Sequence, residues 1–139
     1  MCVPTSSSAL PQSMPWLKSS KKKASPENIP YLAGVFIDTQ KSIRDRLALV
    51  VWPAEGEPTL IVCNIEEPQA QTESWIEDVR AYLEFQKRPT ELLAEILNEK
   101  GLSTAPIGIE MGYLSARHFA DLSRLLPDAT LVACDHLFE

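Results

Sequence analysis

The sequence predicts an α/β domain built on a mixed β-sheet flanked by helices. Two apolar runs of strand length are joined by a turn-rich link. Further on, two amphipathic helical stretches are each followed by a short apolar run. The order of elements is therefore strands first, then alternating helix and strand. With 139 residues, 45% hydrophobic and 23% charged, the chain has the size and composition of one globular core.

Met1 to Ala24 is rich in Ser, Pro and Lys, lacks apolar periodicity and is interrupted by Pro4, Pro11 and Pro15. It reads as a disordered tail, and residues 25–139 as the domain. Order begins at Ser25-Pro-Glu, a capping hydroxyl followed by proline at a first helical position, with a short turn of helix running toward Gly34. Pro30 keeps that element short. Val35 to Asp45, of mixed polarity, is expected as a loop or hairpin.

Arg46 to Trp52 and Thr59 to Cys63 are apolar on successive residues, and Pro53-Ala-Glu-Gly-Glu-Pro58 between them is full of turn formers. An antiparallel hairpin covered on both faces follows. Glu66 to Ser74 suits a short helix and Trp75 to Tyr82 another strand. In Thr90 to Lys100, Leu92, Leu93, Ile96 and Leu97 share one helical face, and Gly101 stops the helix. Pro106 to Glu110 is a strand. Ser115 caps a helix that ends before Pro127, with Phe119, Leu122, Leu125 and Leu126 expected inward, and Ala129 to Cys134 is the last strand.

The net charge is −6, yet Lys18, Lys21, Lys22 and Lys23 stand in the first 24 residues with no acid, which leaves −10 on residues 25–139. An acidic body argues against a nucleic-acid-binding domain, which needs clustered Lys and Arg, so no nucleic-acid partner is expected. There is no stretch of about 18 apolar residues and no signal-like apolar segment, so no membrane partner and a cytoplasmic location are expected. Cys2, Cys63 and Cys134 are odd in number and lack CxxC spacing, which points away from a disulfide framework or a zinc knuckle. Cys63 and Cys134 lie in apolar runs and read as core.

Catalytic chemistry has little to work with. His118 and His136 are the only histidines and have no partner at metal-ligand spacing, no GxSxG elbow surrounds a serine, and the five glycines form no phosphate-cradling loop. The carboxylate pairs Glu66-Glu67, Glu77-Asp78 and Glu110 with Asp135 read as solvated acidic surface. No catalytic residue, metal ligand or cofactor is expected in this chain.

Ser25-Pro-Glu-Asn-Ile-Pro-Tyr-Leu-Ala-Gly34 resembles the SPENIxYLTG segment that opens the N-terminal domain of creatinase/prolidase/Xaa-Pro aminopeptidase proteins. The likeness continues, in the family's order, through Arg46-Leu-Ala-Leu-Val-Val, Ser74-Trp-Ile-Glu-Asp-Val-Arg-Ala-Tyr, Ile107-Gly-Ile-Glu-Met-Gly-Tyr-Leu and Leu126-Pro-Asp-Ala. The resemblance implies an α/β domain with a mixed sheet that precedes a pita-bread catalytic domain, where two divalent metals usually bind. It implies the non-catalytic part of an Xaa-Pro dipeptidase or aminopeptidase-like protein, and a role in dimerisation and in shaping substrate access. Arg44 and Arg46 become the candidates for substrate access, since a guanidinium suits a substrate carboxylate. The expected partners are a pita-bread catalytic domain or a second copy of the chain. The family's first strand, of the type GLDALLVTS, has no counterpart before Ser25, so that strand is expected to be missing or replaced. The alternative is a free-standing protein-interaction domain that uses its acidic surface.

Overall fold

The computed structural model describes residues 2–5, 28–43 and 45–137. Strand β1 is Cys2–Thr5, helix α1 Asn28–Ala33 and helix α2 Thr39–Ser42. Strands β2 (Leu49–Pro53) and β3 (Thr59–Cys63) form the expected antiparallel hairpin, with Val50 opposite Leu60. A 3₁₀ turn, Asn64–Glu66, leads into α3 (Glu67–Glu73), and β4 (Asp78–Tyr82) then pairs parallel to β3. The chain continues through α4 (Pro89–Glu99), β5 (Pro106–Ile109), α5 (Ala116–Leu125) and β6 (Thr130–Ala133).

Hydrogen bonding orders four strands as β1-β2-β3-β4 and pairs β5 with β6 in parallel. β1 runs parallel to β2 on one side and packs beside β5 on the other, so it bridges the four-stranded and two-stranded parts. Cys2–Thr5 lies within the segment expected to be a tail, and that expectation is corrected there. The place of a first strand is filled, and four backbone residues suffice because neighbouring strands supply the pairing groups; such a strand carries no hydrophobic period to read. The rest of the expected tail, residues 6–24, lies outside the described residues.

The unbroken apolar runs of the hairpin are explained by two cores, one on each face. Leu49, Val51, Ile61 and Cys63 face α4 and α5, where they meet Leu93, Ile96, Leu97 and Leu122. Val50, Leu60 and Val62 face the other way, onto Ile29, Leu32 and Ala33 of α1 and Ala70 of α3. Alternation still operates, but both alternating sets are buried. Cys63 and Cys134 are both buried, and burial pushes the Cys134 thiol up to about 12, helped by Glu110 and Asp135.

The helix ends follow local chemistry. Pro89 opens α4, while Arg88 N–H donates to Glu91 Oε2 at 2.8 Å, which holds the Glu91 carboxyl below its usual range. At the other end Gly101, at φ +71°, lets Leu102 N–H reach Leu97 O at 2.8 Å. Ser115 caps α5 by accepting His118 N–H at 3.2 Å.

Three expectations are corrected. Val35 to Asp45 contains the helix α2, one turn that buries Gln40. The strand expected from Trp75 begins only at Asp78. Its first residues are bound to α1 instead, with Trp75 N–H on Ala33 O and Ser74 Oγ donating to the same carbonyl at 2.6 Å. On α5, Leu122 and Leu126 are buried and Leu125 packs against the same core, but Phe119 is exposed and His118 is buried in its stead.

Candidate functional site

A cavity of about 500 Å³ opens between three segments: residues 43–46 before β2, the turn 82–89 that links β4 to α4, and the first turns of α5. The topology makes it. β4 ends at the sheet's edge and α4 starts back over the core, so the connecting turn stands away from α5 and leaves a hollow.

The ionic side chains of this hollow are mostly matched. Arg46 grips Glu84 with Nε on Oε1 at 2.6 Å and Nη2 on Oε2 at 3.2 Å. Arg88 reaches both carboxylate oxygens of Asp121, at 2.8 and 2.7 Å, and thereby ties the start of α4 to α5. Lys87 pairs with Glu95. Arg117 and Asp45 also line the hollow and have no ion-pair partner among the described residues.

Tyr82 forms part of the lining; it is buried, and its hydroxyl donates to Leu47 O at 3.0 Å, which pins the segment before β2 to the end of β4. Burial pushes the Tyr82 phenol above its ordinary value. His118 lines the opposite wall. Its Nδ1 lies 2.9 Å from Ser115 Oγ, and burial lowers its pKa, outweighing Asp45 and Asp121, so the ring is held neutral.

Phe85 stands at the mouth. It is 97% exposed and has φ +65°, a left-handed conformation unusual for a bulky residue. The turn enforces it, since Gln86 N–H and Lys87 N–H both donate to Leu83 O.

Of the two arginines singled out from the sequence, Arg46 lines this hollow, engaged with Glu84, while Arg44 lies outside the described residues. Residue pattern alone does not mark Tyr82, Phe85, Arg88 and His118 as neighbours. Their only common signal is that strand and helix ends cluster at one edge of an α/β sheet, where ligand sites recur.

Chemically the arrangement binds and positions. Its serine is spent on a helix cap and its histidine is neutral and hydrogen-bonded. The described residues bring together no group of three His, Cys, Asp or Glu side chains able to hold a metal. No helix among them is long and apolar enough to cross a membrane.

Fold and site together define an α/β module with a mixed sheet and a charge-matched hollow at the sheet's edge. Residues 24–139 match the model of the creatinase/prolidase N-terminal domain, and the chain belongs to that family. The match starts after β1. The chain is 31% identical over 117 residues to the uncharacterised hydrolase/peptidase y4tL of Sinorhizobium fredii, covering 78% of this chain and 29% of that protein. It thus spans less than a third of this curated relative. The fold is shared with the creatinase/prolidase N-terminal domain of an X-Pro dipeptidase from Streptococcus pyogenes, at TM-score 0.63 and 19% identity over 95% of this chain and 79% of that one. A dipeptidase from Pyrococcus horikoshii superposes with TM-score 0.66 at 19% identity, over 98% of this chain and 30% of its own.

Proposed function

We propose that this chain is the non-catalytic N-terminal module of an Xaa-Pro dipeptidase or aminopeptidase-like protein of the cytoplasm, acting in dimerisation and in shaping substrate access. The observation that carries this reading is the family match over residues 24–139 in a chain that spans only 29% of its curated relative. In this reading the divalent metals expected of the family are held by a catalytic domain outside the part of the relative that this chain spans. In this reading the module contributes Arg46 and Arg44 to the approach route for a peptide carboxylate. The pairing of Arg46 with Glu84 supports such a role by fixing the guanidinium in place before a substrate arrives.

The test is hydrolysis of Xaa-Pro dipeptides and tripeptides with Mn²⁺ or Co²⁺, by the folded chain alone and mixed with a pita-bread catalytic domain. The chain alone should give no turnover. Adding it to the catalytic domain should lower KM, and Arg46→Ala should remove most of that gain. Chelator-sensitive turnover by the chain alone would refute the non-catalytic assignment. An unchanged KM on mixing would refute the role in access.

A further inference from the structure

The sheet face covered by α1 and α3, turned away from α4 and α5, carries exposed aromatic side chains of its own. Trp75 is 54% exposed and Phe36 45%. Both sit on fixed backbone. Trp75 N–H donates to Ala33 O at the end of α1, and its indole leans on Trp52 with ring centroids 5.7 Å apart. Phe36 O accepts Gln69 Nε2 at 3.2 Å, and the same amide reaches Glu73 Oε2 at 3.1 Å, so α3 brings a carboxylate close to Phe36.

Charge separates this face from the other. Among the described residues the ion pairs lie around α4, α5 and the strand and turn that lead into α4. None of them reaches Glu73 or Glu77, two exposed acids placed two residues to either side of Trp75. One cation is already taken up here by an aromatic ring, since Lys41 Nζ stands 4.4 Å from the centroid of Phe36. The Trp75 indole has no such cation among the described residues.

We propose that Trp75 with Glu73 and Glu77 forms a docking surface for a basic segment of a partner protein, a lysine or arginine of which lies over the indole between the two carboxylates. The chemistry selects this occupant. An apolar segment would strip water from two carboxylates and give them nothing in return. An acidic segment, or a nucleic acid, would meet a body that carries −10 over residues 25–139. A basic segment matches both the acids and the face of the ring, and long-range attraction speeds its approach. Trp75 is held before the partner arrives, so little side-chain freedom is lost on binding.

The experiment is isothermal titration calorimetry of the full chain with hexalysine, and with hexaglutamate as the control, at low salt. Wild type should bind hexalysine and not hexaglutamate. Trp75→Ala should weaken binding about 10-fold, the size of a cation over an indole. Glu73→Gln combined with Glu77→Gln should weaken it further than Asp45→Asn combined with Asp128→Asn, which removes the same charge elsewhere. Circular dichroism verifies the fold of Trp75→Ala, and the exposed acid pair tests the surface without touching the packing of the ring.

Absence of hexalysine binding would overturn the proposal. So would equal losses in the two acid pairs with no effect of Trp75→Ala, since that pattern means general attraction to an acidic body. The chain's own lysines are the rival occupant, from the same or a second copy. If changing Lys21, Lys22 and Lys23 to Ser tightens hexalysine binding by more than the Asp45→Asn and Asp128→Asn pair alters it, those lysines fill the face and a partner protein does not.

Discussion

Removing a single oxygen from Tyr82 tests how the wall of the hollow is held. The Tyr82 ring is 2% exposed and its hydroxyl donates to Leu47 O at 3.0 Å, itself a buried residue. In Tyr82→Phe the ring still packs, so no cavity cost arises, but a buried carbonyl loses its donor. Such an orphaned acceptor costs about 1 to 2 kcal/mol. For a chain of this length that is a fall in Tm of about 3 to 8 °C.

Differential scanning calorimetry measures the fall, and urea unfolding should show a lower midpoint with an unchanged m-value. Alkaline pH adds a second handle. Because burial raises the folded phenol's pKa, the folded state holds its proton where the unfolded chain has lost it. The stability this supplies is present below pH 10 and is lost as pH rises beyond it, so the gap between wild type and Tyr82→Phe should narrow above pH 10. A Tm within 1 °C of wild type at neutral pH, or a gap that widens in alkali, would refute the reasoning.

His118 supplies a slope at the acid end. Its folded pKa is lowered by burial, so the unfolded state takes up a proton first, and stability should drop as pH falls through the ordinary value of 6.5; His118→Gln should flatten the Tm profile between pH 5 and 7. Gly101→Ala places a Cβ at φ +71° with no steric neighbour within 4 Å, so the cost should be that of the backbone alone, about 1 kcal/mol by chemical denaturation. Deleting residues 1–5 opens the backbone of β2 and separates it from β5; unfolding should come at least about 2 kcal/mol sooner, with light scattering reporting association through the freed edges. A deletion variant as stable as the full chain would show that β1 is dispensable.

Much of the sheet and both long helices could be read from residue pattern. Thr59–Cys63 is a strand with the bounds the apolar run indicates, and α4 and α5 run where the leucine spacing and their stop signals place them. What escaped was governed by contacts distant in sequence. Trp75 to Glu77 has strand-like composition, but Ser74 and Trp75 are claimed by the carbonyl at the end of α1. The buried face of α5 runs through His118 and Leu122 to Leu126, at i, i+4 and i+8, which leaves Phe119 one residue off it. β1 pairs with β2 through its backbone, and a four-residue run leaves no period to detect. The hollow was still less legible. Its members come from three separated segments, and Phe85 looks like an ordinary loop residue until its φ is known.

The position of β1 sets the order in which the domain can be completed during synthesis. Cys2–Thr5 leave the ribosome before the other described elements, but one of their two neighbours, β5, begins only at Pro106, after the 100 residues from 6 to 105 have been made. At typical elongation speeds of about 5 to 20 residues per second, that is an interval of about 5 to 20 s. Through it the hairpin β2-β3 and strand β4 can already have formed, with β2 offering one unfilled side. β1 is therefore among the last of these elements to find both neighbours, and its contact with β5 waits on one of the most sequence-distant approaches in the fold, the slowest kind of step in folding a domain of this size.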